Sequence, residues 1–324
     1  MAQRNDKFKF SCTKHEDRRK ACVLLATHNG SKYLRQQLKS ISNQRGVSVY
    51  LVVVDDCSSK KERSLLREEL SAVSIPFRLL INKQRIGSAN NFMKGIIEAD
   101  DNFDYFAFAD QDDVWLENKL ITAIEVLEKF QVSEPSLYCG RTELVNEELK
   151  SIGMSPLKRK SPSFQHALAQ SIAGGNTMVF NKSAKIIIET TAKTSSDFVA
   201  HDWWCYILIS GVGGNVFYDT SPKLLYRQHM NNVLGANAGL MSTLKRAKYL
   251  FTNILKSWND RNEENFELNS NLFTEKNLVI GRMFFKNRKG NIFQRLQAAF
   301  PLIVQRETVA GKVGFLVGAV LGKI

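Results

Sequence analysis

Proline is scarce, with six in 324 residues, and no two cysteines stand in a Cys-x-x-Cys spacing. The five cysteines (Cys12, Cys22, Cys57, Cys139 and Cys205) are scattered along the chain. That argues against a disulfide framework or a zinc site and makes a reducing cytoplasm the expected location. The polar stretch from Met1 to Lys20 has no apolar core, so no secretory signal is expected. No apolar run is long enough to cross a bilayer: the terminal Val309 to Leu321 stretch is short and Lys312 interrupts it. The Gly-x-Gly-x-x-Gly turn of a dinucleotide-binding crossover is missing. So is a glycine- and lysine-rich phosphate loop after the first strand, where Thr27-His28-Asn29-Gly30 stands instead. These gaps count against a dehydrogenase and a nucleotidyltransferase.

Acid is in deficit as well. Against 45 Lys and Arg there are 32 Asp and Glu, a formal net charge of +13. No aromatic-basic nucleic-acid signature accompanies that charge, so no nucleic-acid partner is expected. Anionic small-molecule donors and an anionic membrane surface suit it better.

What is present is alternation. Apolar strands are predicted at Ala21–Ala26, Val49–Val54, Phe77–Ile81 and Tyr105–Ala109. Amphipathic helices fall between them. Ser31 is a candidate cap for one with Leu34, Leu38 and Ile41 inward. Leu65, Leu66, Leu70 and Val73 mark the next, and Gly87-Ser88 opens a third with Phe92 and Ile96 inward. Such alternation predicts an α/β fold, a mostly parallel sheet with helices on both faces. Beyond residue 131 the pattern loosens. Strands are expected at Ser136–Cys139 and Thr177–Phe180, a polar loop over Ser151–Ser163, and helices over Ala184–Thr191 and from His201. Leu224–His229 closes the alternating part. From Met241 the chain reads as helices with basic clusters, Lys245, Arg246 and Lys248, then Lys286, Arg288 and Lys289. The expected organisation is a flexible segment over 1–20, an α/β domain over 21–240 and a basic helical C-terminal region over 241–324.

Ligands of parallel sheets lie at the carboxyl ends of the strands. Thr27-His28-Asn29, Asp55-Asp56 and Asp110-Gln111-Asp112-Asp113 all stand at such ends, so a single cleft would collect them. The last of these is the most informative. It follows a buried strand and precedes Leu116, Leu120, Ile124 and Leu127 at helical spacing. Carboxylates crowded there repel one another unless a cation joins them. A hard divalent ion, Mn²⁺ or Mg²⁺, would stabilise them and bridge the diphosphate of a nucleotide. A solvated acidic turn is the plain alternative.

Seven stretches together resemble the inverting family 2 glycosyltransferases of the GT-A fold, in the rhamnosyltransferase-like branch of bacterial surface polysaccharide synthesis. They are Ala26-Thr27-His28-Asn29-Gly30, Val54-Asp55-Asp56-Cys57-Ser58, Gly87-Ser88-Ala89-Asn90-Asn91-Phe92, Phe108 through Trp115, Gly174-Gly175-Asn176, His201-Asp202-Trp203 and Tyr226-Arg227-Gln228-His229. They run in family order over residues 21–235, and nothing from about 241 onward is matched.

The resemblance implies that Thr27, Asn29 and Asp56 hold the base and ribose of a nucleotide, with Asp55 either joining them or capping the turn. It implies Asp112 as metal ligand and Asp110 on the ribose or the metal. Asp113 could serve the metal through water or cap the following helix, and the cap is the expectation. His229, in its Tyr-Arg-x-His setting, is implied as a further metal ligand, and Arg227 as an alternative partner for the diphosphate. Inversion needs a carboxylate to take the acceptor hydroxyl's proton. Asp202 is assigned that role, with Asp197 as the nearest substitute. Gly175 and Asn176 would let backbone approach the donor sugar, glycine having no Cβ, and Trp203 would stack on it. His28, Trp115 and the cysteines are read as structural.

The implied partners are a dTDP- or UDP-linked sugar donor and a glycan acceptor, which a lipid could carry, with peripheral contact to an anionic membrane through the C-terminal region. A nucleotide-sugar or nucleic-acid binding module without transferase activity is the alternative.

Overall fold

The computed structural model describes residues 19–195, 197–229 and 253–324. The segment 1–18 and the cluster Lys245, Arg246 and Lys248 lie outside the described residues, as does the expected boundary at 240. Strands β1 (Arg19–Thr27), β2 (Val47–Asp55), β3 (Phe77–Ile81), β4 (Tyr105–Ala109), β6 (Ser136–Gly140), β9 (Val179–Asn181) and β10 (Asn215–Asp219) form a seven-stranded sheet in the order β10-β6-β9-β4-β1-β2-β3. Every pairing is parallel except the two made by β9.

Alternation along each strand divides the core into two layers, because successive side chains point to opposite faces. Ala21, Val23, Leu25, Leu51, Val53, Ala107 and Ala109 face one layer. Helices α1 (Ser31–Ser42), α2 (Lys60–Ser71) and α4 (Lys119–Leu127) cover it with Leu34, Leu38, Ile41, Leu66, Leu70, Leu120 and Ile124. Cys22, Leu24, Val52, Val54, Phe106 and Phe108 face the other. There α3 (Ser88–Glu98), α5 (Phe164–Ala169), α6 (Lys182–Thr194) and α7 (His201–Gly211) pack.

A second, four-stranded sheet stands beside the first in the order β5-β11-β7-β8, from β5 (Val114–Trp115), β7 (Glu143–Val145), β8 (Ser151–Met154) and β11 (Leu224–Arg227). Its two-residue β5 corrects one expectation. The acidic stretch does not turn directly into a helix: Val114 and Trp115 pair with Leu225 and Leu224, and α4 starts only at Lys119. Leu116 is therefore outside the helix and exposed. Asp113 is no helix cap, since Asn118 occupies that position. Ser31 is the first helical residue rather than the cap, and its amide donates to Glu62. The polar stretch after Ser151 carries β8, which its serine- and proline-rich composition conceals.

The C-terminal helices are α8 (Ile254–Leu268), α9 (Glu275–Asn287), α10 (Ile292–Ile303) and α11 (Val309–Val320). Phe266, Phe284, Phe285, Ala299, Leu302 and Phe315 lie in the same apolar cluster as Phe164, Trp204 and Phe108. This region therefore shares its core with the α/β part. Among the described residues no helix is long and apolar enough to cross a membrane.

Phe266 is fully buried, packed edge-on to Phe273 at 4.6 Å between ring centres and against Phe164 and Phe285. Phe266→Ala should lower stability by about 3–5 kcal/mol. Urea unfolding followed by both tryptophan fluorescence and circular dichroism should show one shifted transition; two separate transitions would show that the helices fold on their own.

Candidate active site

The parallel register sets the site. Thr27 pairs with Asp55 across β1 and β2, and Leu25 pairs with Ala109 across β1 and β4. All three strand ends therefore open on one edge. Side chains lace them together: Gln111 accepts the His28 amide proton at 2.8 Å, and His28 Nδ1 contacts the Asp56 carbonyl at 2.8 Å. Asn29, held at a φ of 46°, donates its amide to Ser58 Oγ and accepts from the Ser59 amide. Asparagine tolerates that left-handed conformation better than most residues.

Asp55 is turned inward. It is fully buried and accepts from the Ser58 amide, Ser58 Oγ and Thr27 Oγ1. Those bonds tie off the turn, so its expected contact with a nucleotide is replaced by a structural one. Asp56 accepts the Ile86 and Gly87 amides and Asn82 Nδ2, at 2.8, 2.9 and 3.1 Å. It thereby shapes the loop that enters α3.

Asp112 meets His229: Oδ2 and Nε2 lie 2.8 Å apart across 117 residues of chain. Strand β11 makes the meeting, because its antiparallel pairing with β5 returns the chain beside the acidic stretch. Arg227 anchors the junction. Its buried guanidinium donates to the Asp112 carbonyl at 2.9 Å, to the Glu147 carbonyl and to Gln36 Oε1, and it lies 4.4 Å from the Tyr33 ring centre. A guanidinium so committed to carbonyls is a brace, which corrects its expected pairing with diphosphate. His229 stacks on the other partner of that brace, Tyr33, at 5.2 Å.

Asp113 accepts from Asn176 Nδ2 at 2.5 Å and from the Arg227 amide. It joins three segments of chain: the acidic stretch, β11 and the Gly174–Thr177 turn. Gly175 in that turn donates its amide to Asp202 Oδ2 at 3.2 Å. Asp202 stands in the first turn of α7 and also accepts the Trp203 amide at 2.7 Å.

The electrostatics follow from this crowding. Burial, then the charges of Asp112 and Asp202, push Asp110 up to about 7. Burial, then Asp110 and Asp112, push Asp113 well above the carboxylate range, while its two donors pull the other way. Burial raises Asp202 to about 6. Such a carboxylate is still ionised at neutral pH and is a stronger base than usual.

Three expected roles do not survive. Trp203 is buried, and its indole N–H donates to the Ala167 carbonyl at 2.8 Å, so it offers no face to a sugar. Asn176 is buried against Asp113, and its amide group serves the scaffold. Asp197 is an exposed partner of Arg261 at 3.1 Å and is no substitute for Asp202.

Sequence reading missed the roles of Gln37 and Gln111 and gave Arg227 a different one. Gln37 donates to the Asp110 carbonyl at 2.8 Å from full burial. Its signal was present, a polar residue between Leu34, Leu38 and Ile41 on the apolar face of α1. The bracing role of Arg227 had no such signal, since its partners lie 80 to 191 residues away.

A divalent cation fits this chemistry in part. Asp112 Oδ2 and His229 Nε2 are oxygen and imidazole donors already in contact, and Asp110 beside them is raised first by burial and then by the Asp112 and Asp202 charges, both of which a cation would offset. Among the described residues no three such side chains stand assembled as a metal cage.

The sequence profile of glycosyl transferase family 2 matches residues 22–186. The dTDP-rhamnosyl transferase RfbG of Shigella flexneri is 30% identical over 235 residues, which cover 68% of this chain and 77% of that protein. Among solved structures, S. aureus TarS in complex with UDP-GlcNAc aligns with a TM-score of 0.53 at 12% identity, over 94% of this chain and 90% of that one. The mannosyltransferase PcManGT from Pyrobaculum calidifontis, in complex with GDP-Man and Mn²⁺, aligns with a TM-score of 0.50 at 14% identity, over 95% and 86%. At such identities the structural likeness establishes the fold, here the GT-A arrangement.

Gly175 is constrained by space. A Cβ built there would stand 2.1 Å from His201 Nε2, and His201 is itself buried, stacked on Phe92 at 4.0 Å and edge-on to Phe108 at 4.8 Å. Gly175→Ala should therefore lower stability by about 1–3 kcal/mol, read as a drop in the unfolding midpoint.

Proposed function

The chain belongs to glycosyl transferase family 2, and we propose that it moves a sugar, with inversion, from a nucleotide-diphosphate donor to a hydroxyl of a glycan acceptor. The observation that carries this reading is the contact of Asp112 with His229 beside Asp110, with Asp202 close enough for its charge to raise Asp110. Rhamnose from a dTDP-linked donor is the sugar we assign, because RfbG is described as a dTDP-rhamnosyl transferase. The product is a surface glycan. We assign the acceptor to a glycan carried on a lipid at its reducing end, which would bring the enzyme to the cytoplasmic, anionic face of a membrane.

The strand ends bind the nucleotide. Thr27 and Asn29 lie at the edge where base and ribose would sit, and Asp56 acts with the 82–87 loop it organises. Asp112 and His229, with Asp110 beside them, would hold a Mn²⁺ or Mg²⁺ ion, which supplies neutralising charge for a departing diphosphate. Asp202 takes the proton of the acceptor hydroxyl as that oxygen bonds to the anomeric carbon. The bond from that carbon to the diphosphate breaks on the opposite face. The Gly175 and Trp203 amides orient the Asp202 carboxylate for this step.

Asp202→Asn should lower the turnover number by about 10²–10⁴ while donor binding stays within a few-fold. Coupled assay of diphosphate-nucleoside release and thermal shift with donor read the two quantities. Unchanged turnover would remove Asp202 as the base, and a wild type that binds donor without any turnover would leave a binding module.

Donor identity is read by thermal shift against dTDP-, UDP- and GDP-sugars, with Mn²⁺ or with chelator. The midpoint should rise with dTDP-rhamnose and Mn²⁺, by an amount set by ligand concentration over Kd. Asp112→Asn and His229→Ala should each abolish the metal-dependent part of that rise. A metal-independent shift, the same in both variants, would refute the ligand assignment.

A further inference from the structure

Helices α10 and α11 each turn an apolar stripe outward. On α10 and its end, Phe293, Phe300 and Val304 recur at intervals of seven and four residues, exposed by 79, 60 and 56%. On α11, Val309, Val313 and Val317 recur every four residues, exposed by 76, 54 and 37%. Both spacings follow one face of a helix. The opposite faces are buried in the shared core, through Ala298, Ala299 and Leu302 of α10 and Phe315, Gly318 and Ala319 of α11. The two stripes thus lie on the outer side of one helical hairpin. Contiguous exposed apolar surface of that kind marks an interaction site.

The charge around it selects the partner. Residues 286–324 hold seven basic side chains and one acidic one, Glu307. Glu307 is turned inward, accepting the Arg159 and Lys160 amides at 3.1–3.2 Å. Arg288 and Lys289 pair with Asp260 and Glu263 of α8. Lys286, Arg295 and Lys312 have no acidic partner within 4.0 Å among the described residues. Two copies of this chain joined through the stripes would bring those cations together, which disfavours a dimer. An anionic bilayer satisfies both features, receiving the apolar side chains at the acyl boundary and the cations at the headgroups.

We propose that the α10–α11 hairpin docks this protein on anionic lipid, with Phe293, Phe300, Val309 and Val313 inserted and Lys286 and Lys312 at the headgroup level. This deepens the reading of a lipid-linked acceptor and gives the membrane contact a defined face. Its test uses neither donor nor acceptor, so it can fail while transfer activity stands.

The test is flotation of the full chain with phosphatidylcholine vesicles, with and without phosphatidylglycerol. The wild type should float with the anionic vesicles and be released by raised salt. The combined variant Phe293→Ser, Phe300→Ser, Val309→Ser and Val313→Ser should lose about tenfold or more of that binding, with its unfolding midpoint and turnover on a water-soluble acceptor unchanged. Lys286→Gln with Lys312→Gln, which leaves the apolar stripe intact, should remove most of the preference for phosphatidylglycerol. Equal flotation of wild type and both variants would overturn the proposal. So would a wild type that stays with neither vesicle, or one that is dimeric in solution and becomes monomeric in the serine variant.

Discussion

Like charges crowded together at one end of the sheet, with Asp113 fully buried among them, are the constraint around which this molecule is arranged. Asp110, Asp112, Asp113 and Asp202 come from two elements far apart in sequence, and each of Asp110 and Asp113 is raised by burial and by its neighbours' charge. Such crowding is unfavourable unless other parts of the structure offset it. The fold answers with donors and buried cations. Asn176 and the Arg227 amide serve Asp113, the Gly175 and Trp203 amides serve Asp202, and the Arg227 guanidinium holds the Asp112 carbonyl. Lys119, buried and 3.4 Å from the Trp115 ring centre, is itself pushed down to about 7 by burial, against the pull of Asp113.

That network divides the site into braces and working groups. Asp55, Asn176, Trp203 and Arg227 are held by their own chain and position others, and Asp113 joins them through Oδ2 while its buried Oδ1 has no side-chain or backbone partner among the described residues. Asp112, His229, Asp110 and Asp202 keep capacity for something more. A polar group already satisfied in burial gains little from a ligand and costs much to uncover, so saturation separates the two classes better than residue type does. Two of the braces, Trp203 and Asn176, are residues that the family resemblance would send to the donor sugar.

The first half of the chain was legible because its signals are local. Strand β1 shows period-two burial on both sides of the sheet, and α1 repeats its apolar residues at helical spacing. The acidic stretch declared itself because three carboxylates at a strand end are hard to explain otherwise. Later strands are short: β5, at Val114–Trp115, has two residues, and beyond residue 131 β7 and β9 have three each. Their stability comes from pairing with distant partners, which local composition does not report. The helix expected directly after the acidic stretch was displaced for that reason, since Val114 and Trp115 were claimed by β11.

From its residues alone the chain determined an α/β alternation, the acidic strand ends and the identity of the groups able to act there, because periodicity and residue chemistry are properties of short stretches. Tertiary structure decided which of those groups meet. Only the return of β11 brings His229 to Asp112, and only the Gly174–Thr177 turn links Asp113 to the helix that carries Asp202. Burial, and with it the raised pKa of Asp110, Asp113 and Asp202, depends on what the rest of the chain packs over a residue, and that is settled by contacts spanning up to 191 residues.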